Sequence, residues 1–208
     1  MPAPARDTVR IDHTVLGDAD YERLRRIRRL RLRAVKTPTG FLAGLPDLEW
    51  LDYRGGSGAD IEFVRGCRKL RYLAVNQVRG VRDISALGEL QSLEALSLYG
   101  LPKVTAIPSL RAMPRLRWAE VGSMKGLLGL TGLLDAPALE DLVLLKRVGL
   151  HPDDAMRIAR HQSIKRFTWF GEDVPEKTWV PVVELVGKPR VEIIGIEDWF
   201  SRQAVTEQ

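Results

Sequence analysis

The stretch at residues 93–98 reads LEALSL, and its pattern, L-x-x-L-x-L, decides the fold because it recurs along the chain. The clearest copies are LEWLDY at 48–53, LRYLAV at 70–75, LEALSL itself, LRWAEV at 116–121 and LEDLVL at 139–144. With weaker copies on either side, the starts are residues 6, 27, 48, 70, 93, 116, 139, 164 and 191. Nine copies spaced 21 to 27 residues apart predict a solenoid, in which each repeat stacks on its neighbours.

The return from one strand to the next is shown best by VRDISAL at 81–87, which Leu90 and Leu93 follow. Together with the nine copies, this segment resembles the leucine-rich repeat family, in a short bacterial form similar to internalin-type repeats, over about residues 6–199. The resemblance implies an α/β leucine-rich-repeat solenoid with a curved parallel sheet of about nine strands on its concave side. Short 3-10, helical or extended segments would then form the convex side.

One departure from the family concerns the position that follows each strand. The family has an Asn there, whereas this chain has Gly56, Val78, Leu101 and Met124 in the corresponding places. We therefore expect apolar packing to replace the hydrogen-bonded row of Asn side chains.

Between the strands, apolar residues recur at every third place, as at 78, 81, 84, 87 and 90. This period, with prolines nearby, favours 3-10 turns or extended chain over full α-helix, although the longer late repeats have room for helix. No linker interrupts the series. Residues 1–208 are therefore predicted to form a single leucine-rich-repeat domain whose end repeats act as caps.

The second residue of every copy is charged, and its sign alternates along all nine copies. The row is Asp7, Arg28, Glu49, Arg71, Glu94, Arg117, Glu140, Lys165 and Glu192. On neighbouring strands of a parallel sheet such residues stand about 4.8 Å apart, where opposite charges attract. We interpret the row as a structural ladder of ion pairs and remove its members from the functional candidates.

The composition is that of a globular protein, because 45% of the 208 residues are hydrophobic and 28% are charged. The N-terminal sequence lacks the apolar core of a signal peptide, and no run of about 18 apolar residues is available to span a membrane. Cys67 is the single cysteine, so an intramolecular disulfide is impossible. These features predict a soluble, cytoplasmic protein.

Motifs of catalysis and cofactor binding are missing from the sequence. It contains no G-x-x-x-x-G-K-[ST] loop, no G-x-G-x-x-G after a strand and no cysteine pair for zinc. The one conceivable metal cluster consists of His151, Asp153, Asp154 and His161. Its two acids are better explained by the dipole at a helix start, and Cys67 continues an apolar series that predicts a buried, inert thiol. We predict no enzymatic activity, no cofactor and no metal.

Alternate strand residues face opposite sides, so the third, fifth and seventh residues of each copy face out from the concave side. Early copies place arginines there and middle copies place aromatic residues, which together have the composition of interaction hot spots. The predicted partner-binding residues are Arg29, Arg31, Arg33, Trp50, Arg54, Tyr72, Tyr99 and Trp118. The last copies carry an acidic surplus, with Glu120, Asp141 and Glu197 against Arg166. Because nothing obvious in the sequence covers the aromatic residues, we favour binding over mere surface filling.

These observations and the resemblance favour a non-catalytic protein–protein interaction module that binds a macromolecular partner on its concave face. An inhibitor or a toxin-immunity protein is the narrower hypothesis, suggested by a chain that is all repeat. A protein partner is expected, with no role for a membrane or a small-molecule substrate.

The alternative is binding of nucleic acid or another polyanion, because residues 1–33 hold nine Arg against five acids. The arginines that would contact phosphates are Arg10, Arg29, Arg31, Arg33 and Arg54, while Trp50 and Tyr72 would stack on bases. The acidic later half of the face argues against this alternative, since it would repel a long phosphate backbone.

Overall fold

The computed structural model describes residues 8–192 and 194–206. Within those residues, eight strands form one sheet in which every strand pairs in parallel with the next strand of the chain. Their bounds are β1 (Thr8–Asp12), β2 (Arg29–Arg33), β3 (Trp50–Arg54), β4 (Tyr72–Asn76), β5 (Ala95–Tyr99), β6 (Trp118–Met124), β7 (Asp141–Val148) and β8 (Arg166–Phe170). The predicted leucine-rich-repeat solenoid is confirmed.

The strands pair in the register that the repeat pattern predicts. Third residues of successive copies lie opposite one another in the row Thr8, Arg29, Trp50, Tyr72, Ala95, Trp118, Asp141 and Arg166. From β2 onward, the carbonyl of each second residue accepts two N–H groups of the next repeat, at 2.7 to 3.2 Å. The same backbone bonds therefore recur at the same repeat position along the sheet.

The leucines of the pattern form the core between the sheet and the returning chain. In the repeat that begins at Leu93, the side chains of Leu93, Leu96 and Leu98 are fully buried. The apolar residues of the convex segment, such as Val81 and Leu87, close the core from the other side. Burial of each such side chain contributes about 1.5–3 kcal/mol, so every repeat depends on its neighbours for stability.

The convex side carries short turns and helices, as the period of three predicts. The 3-10 turns lie at Glu62–Val64, Ser85–Glu89 and Leu133–Asp135. Among the described residues the α-helices are α1 (Asp18–Leu24), α2 (Asp154–Arg160), α3 (Glu176–Val186) and α4 (Ile196–Thr206). None of these helices has the length and apolar character needed to cross a lipid bilayer.

A left-handed residue occupies the eighth position of seven successive repeats; it directly follows the strand in the first five and lies within β6 and β7 in the last two. The positions are His13, Ala34, Gly55, Gln77, Gly100, Ser123 and Lys146, with φ between +49° and +68°. In the first five of these, the backbone N–H donates to the carbonyl that precedes the equivalent turn in the next repeat, at 2.7 to 2.9 Å. This bond fixes the exit from the strand without an Asn side chain.

Apolar packing replaces the missing Asn row. Val78, Leu101 and Met124, which stand where the family has Asn, are each no more than 2% exposed. Their side chains belong to the same core cluster as the strand leucines. The expected replacement of a hydrogen-bonded row by buried side chains is therefore observed.

The predicted ninth strand, which was to begin at Val191, does not form in the described residues around it. The N–H of Val191 bonds instead to Oγ1 of Thr168 at 2.8 Å, and the chain then enters α4. Gly195 weakens a strand at this place because it has no side chain to pack. The acidic residues Glu197 and Asp198 stabilise the first turn of a helix through its dipole.

The charge ladder forms ion pairs along the sheet. Arg28 bonds Glu49 at 2.8 Å, Arg71 bonds Glu94 at 2.7 Å, and Glu140 lies between Arg117 at 3.2 Å and Lys165 at 3.1 Å. At the two ends the ladder changes: Glu192 pairs with Arg202 of α4, and Asp7 lies outside the described residues. The alternation of sign thus reflects contacts between neighbouring strands.

We expect Arg28→Glu to lower the free energy of unfolding by about 1 kcal/mol, because it replaces an attraction to Glu49 by a repulsion between exposed groups. Urea unfolding measures this loss. The matched control is Arg111→Glu, which makes the same charge change at an exposed convex position. Equal midpoints for the two variants would show that the ladder does not stabilise the sheet.

Ala34→Gly should raise the free energy of unfolding by roughly 0.5–1 kcal/mol, because Ala34 has a φ of +51° that costs an L-residue energy. Thermal and urea unfolding test this gain. Ala59→Gly, at an exposed position outside the left-handed series, should instead destabilise the protein. A loss of stability in both variants would contradict the strain that we assign to the strand exit.

Candidate protein-interaction surface

The surface that faces away from the leucine core is formed by the third, fifth and seventh residues of each repeat. On β3 these residues are Trp50, Asp52 and Arg54. The register places them beside the equivalent residues of β2 and β4, so each repeat position forms a row across the sheet. We call the whole surface the concave face.

A buried carboxylate organises the arginines of the concave face. The Asp52 side chain is 1% exposed and lies between two guanidinium groups. Its Oδ2 accepts a hydrogen bond from Arg31 at 2.8 Å, and its Oδ1 accepts one from Arg54 at 2.6 Å. The bond to Asp52 raises the pKa of Arg54. Two of the predicted binding arginines thus neutralise an acid of their own sheet.

The aromatic residues of β3 and β4 stack on each other. The rings of Trp50 and Tyr72 lie 4.7 Å apart at an angle of 29°, and the guanidinium of Arg31 lies 5.6 Å from the Trp50 ring centre. Burial, assisted by the negative charges of Asp52 and Glu120, raises the pKa of Tyr72. This phenol therefore stays neutral at physiological pH.

Helix α4 covers this aromatic pair. Trp199 is 4% exposed and packs in one cluster with Trp50 and Tyr72, both of which are 5% exposed. The Phe200 ring meets Tyr72 edge to face, with 6.4 Å between ring centres, and Glu197 lies 4.0 Å from Arg29. The expectation that nothing covers the aromatic residues is therefore wrong for Trp50 and Tyr72, because the chain covers them itself.

The covered cluster contains two indole groups without hydrogen-bond partners. Within the described part of the chain, neither Nε1 of Trp50 nor Nε1 of Trp199 finds an acceptor, although both atoms are buried. An unpaired buried donor costs about 1–3 kcal/mol. Helix α4 thus buries aromatic rings on the sheet but leaves two hydrogen-bond donors without acceptors.

Beside α4 the concave face stays open and forms a cavity of about 480 Å³. Its walls come from β5 to β8 and include Tyr99, Trp118, Glu120, Val143, Leu145 and Phe170. Ile194, just before α4, lines the same cavity. We call this space the open cavity. Among its strand residues, aromatic and aliphatic side chains surround one carboxylate, that of Glu120.

Glu120 is the carboxylate that the strands contribute to the open cavity, which Lys146 of β7 also lines. Its Oε1 accepts a hydrogen bond from the Ser97 hydroxyl at 2.8 Å. Burial raises the pKa of this carboxyl, although the Ser97 bond and the charge of Arg54 act in the opposite direction. A carboxylate between apolar walls can receive a cationic side chain, which would compensate its poor solvation.

A glycine makes room for the Tyr99 ring. A Cβ at Gly122 would lie 2.5 Å from Cδ2 of Tyr99 and 2.9 Å from Cβ of Leu145, so no other residue fits there without a shift. Tyr99 can therefore lie over β6 at the wall of the open cavity. The glycine shapes the surface and does not supply a functional group.

The structure divides the predicted site residues between two places. Trp50 and Tyr72 lie beneath α4, and Tyr99 is half-buried at the open cavity. Trp118 belongs to both places, because it lines the open cavity and packs against the cluster that α4 covers. The predicted arginines Arg29, Arg31, Arg33 and Arg54 lie on β2 and β3, where Arg33 is exposed.

The predicted acidic half of the face needs correction. Asp141 is buried and forms two bonds to Arg166, at 2.6 and 2.7 Å. Glu197 was assigned to a ninth strand at the acidic end, yet α4 carries it to Arg29 at the basic end. Glu120 is thus the acid of the original set that remains at the open cavity.

The sequence prediction missed Trp199 and Phe200, which belong to α4. Ile196, Trp199 and Phe200 have the spacing i, i+3 and i+4 of one helix face, and two acids stand at the start of that helix. This signal was available, but the V-E-I-I-G-I segment at 191–196 was assigned to a strand. A helix after the last strand has no repeat position to reveal where it packs.

The remaining candidates have structural roles. Asp154 is fully buried, and its Oδ2 accepts the N–H groups of Leu130 and His151, both at 2.8 Å, so it ties two repeats together in addition to starting α2. Burial raises the pKa of the Cys67 thiol to about 12, which leaves it protonated. In the part of the chain that the structure describes, no three His, Cys, Asp or Glu side chains meet as a metal site.

Glu120→Gln should stabilise the protein at pH 7 but not at pH 4. Because burial raises the pKa of Glu120, the unfolded state loses its proton first as the pH increases. The wild type therefore loses stability above the ordinary value of 4.5 until the folded state has also lost its proton. The amide has no such loss, so its urea midpoint should exceed that of the wild type only at the higher pH.

The matched control for this pH dependence is Glu184→Gln, at an exposed position of α3. This variant should follow the wild type at both pH values. A Glu120→Gln midpoint that differs from the wild type equally at pH 4 and pH 7 would show a packing effect and no effect of ionisation.

Comparison with known proteins gives likenesses only to solved structures. No protein-family model matches the sequence, and no curated protein matches it. Nine chains of solved structures match. One is an internalin from Listeria monocytogenes, which is 15% identical; the match covers 88% of this chain and 72% of that chain, with a TM-score of 0.36. By its own strand register, leucine core and left-handed strand exits, the chain is a leucine-rich repeat solenoid.

Proposed function

We propose that this protein is a non-catalytic interaction module that binds a protein partner on its concave face. The open cavity supports this proposal most directly, because aromatic and aliphatic side chains are half-exposed there around Glu120. Cavities of this kind accept the anchor residues of a partner and supply most of the affinity in protein complexes. The anchor that fits is an apolar side chain with a neighbouring cationic group for the carboxylate.

Two features favour a protein partner over a polyanion. Arg31 and Arg54 already bond Asp52, which reduces the positive charge available to phosphates. The open cavity is lined by Glu120, Glu172 and Glu192 against one basic residue, Lys146, and this acidic surplus would repel a phosphate backbone. Nucleic-acid binding therefore enters the experiment below as a contrary outcome.

The narrower role that we propose is an inhibitor or toxin-immunity protein of the cytoplasm, which blocks its partner by occupying the partner's surface. The continuous row of repeats supports this role, since the described residues form the solenoid and the helix α4 that packs on it. The buried, protonated Cys67 suits a reducing compartment.

The test begins with the wild-type protein as bait in an extract of the source organism, followed by kinetic binding to the purified partner. Trp118→Ala should weaken binding about 30-fold, mainly through faster dissociation, because it removes a wall of the open cavity. Leu145→Lys should have a similar or larger effect, since it puts a charge among the apolar residues that line the open cavity.

Lys103→Glu is the control, because Lys103 is exposed on the convex side. It should bind like the wild type. If Lys103→Glu weakens binding while both cavity variants bind normally, the concave face is not the binding site. Tight, salt-sensitive binding to a generic oligonucleotide, lost in Arg33→Glu, would replace this proposal by the polyanion alternative.

A further inference from the structure

Helix α4 packs on the concave face, and its sequence shows which side chains this part of the face can bind. Its residues 196–203 read IEDWFSRQ, and Ile196, Trp199 and Phe200 lie on one face of the helix. That face joins the cluster of Trp50 and Tyr72. An acidic turn followed by two adjacent aromatic residues is thus the sequence that this part of the sheet accepts.

Each feature of α4 has a counterpart on the sheet. The Trp199 ring shares the cluster with Ala74 and Ala95, whose small side chains are fully covered. The guanidinium of Arg71 lies 5.4 Å from the centre of the Phe200 ring, a cation–π distance. Glu197 faces Arg29, so the acidic end of α4 lies toward the basic end of the sheet. The match therefore includes shape, aromatic geometry and charge.

The contact is nevertheless imperfect in ways that favour exchange. Within the described residues the indole N–H groups of Trp50 and Trp199 stay unpaired, and the distance from Arg29 to Glu197, 4.0 Å, is long for an ion pair. The open cavity continues directly from the covered cluster, because Ile194 contributes to both. A helix from another protein could approach from that side and supply better-paired groups.

We propose that the surface of β2 to β5 is a receptor for an amphipathic helix with an acidic turn and adjacent aromatic residues, and that α4 occupies it until a partner protein's helix of the same chemistry displaces it. This inference rests on the proposed function, because it adds a second contact of the same partner: its helix replaces α4 on β2 to β5, while its anchor side chain enters the open cavity beside it. In this arrangement α4 sets the threshold for binding, since a partner must compete with a tethered helix.

Because α4 is tethered, we expect a separate helix to bind only weakly to the wild type. A segment joined to its site by a short linker acts at an effective concentration of about 1 mM. A free peptide must overcome this local concentration. Weakening α4 within the chain should therefore strengthen the binding of the same sequence supplied as a separate molecule.

The experiment uses the full chain and a fluorescent peptide with the sequence of residues 194–206, IGIEDWFSRQAVT. Binding is followed by fluorescence anisotropy for the wild type and for the double variant Trp199→Ala/Phe200→Ala. The peptide should bind the double variant at least tenfold more tightly than the wild type. In the wild type, saturating peptide should speed hydrogen exchange of the α4 amides, because it displaces the helix.

Three controls define the specificity. Ser201→Ala, on the exposed side of α4, should leave peptide affinity at the wild-type value. Adding Trp50→Ala to the double variant should abolish the gain, because it removes the stacked pair. A peptide with Lys at the places of Glu197 and Asp198 should bind more weakly, with the difference reduced at high salt.

Folding of the double variant is checked by circular dichroism and urea unfolding. If it does not fold, the Glu197→Lys chain takes its place, because that change weakens α4 through charge without removing buried rings. Equal peptide affinity for the weakened and wild-type chains, or no binding to a folded weakened chain, would overturn the proposal.

The outcomes also separate this proposal from the proposed function. A captured partner that depends on Leu145 but binds the wild type and the double variant equally, with no peptide binding, leaves the interaction module intact and removes the role of α4. If the peptide binds as expected but no captured partner depends on the open cavity, the role of α4 stands and the proposed binding at the open cavity is removed. Both sets of variants are therefore tested with the peptide and with the captured partner.

Discussion

From Arg28 to Glu140, the carbonyl of each repeat's second residue accepts two N–H groups of the next repeat, and this bonding holds β2 to β8 in one register. A shift by a single residue would turn the leucines outward and the concave residues into the core. The same register brings Trp50 beside Tyr72 and Asp52 beside Arg31. The core, the ion-pair rows and the concave face are thus three consequences of one backbone pairing.

The charges of the sheet fall into two classes with different physical roles. The ladder pairs, such as Arg28 and Glu49, are exposed, so each adds at most about 1 kcal/mol and mainly disfavours wrong registers. Asp52 and Asp141 are buried, and their arginines compensate them. Loss of Arg166 would leave the buried carboxylate of Asp141 unpaired, at a cost of up to about 3–5 kcal/mol, whereas Asp52 would keep one of its two arginines. Buried pairs therefore hold the concave face in one arrangement.

The repeat pattern predicts the solenoid, its register and the charge ladder, because each depends on contacts between equivalent positions of neighbouring repeats. It also identifies which residues line the concave face. It fails where the repetition ends: Val191 begins no strand, and Trp199 packs across the face on Trp50. A contact between a non-repeating helix and distant strands has no periodic signal, so exposure of Trp50 and Tyr72 was overestimated from their position alone.

Helix α4 also changes the mechanics of the fold. A stack of repeats is nearly one-dimensional, and its end units open independently because each contacts only its neighbours. Here the packing of Trp199 against Trp50 joins segments 149 residues apart. It connects the helix that follows the last repeat to the third repeat. Opening of the last repeat must then disturb the third. A molecule that displaces α4 would lower the stability of the whole row of repeats, including parts far from the place where it binds.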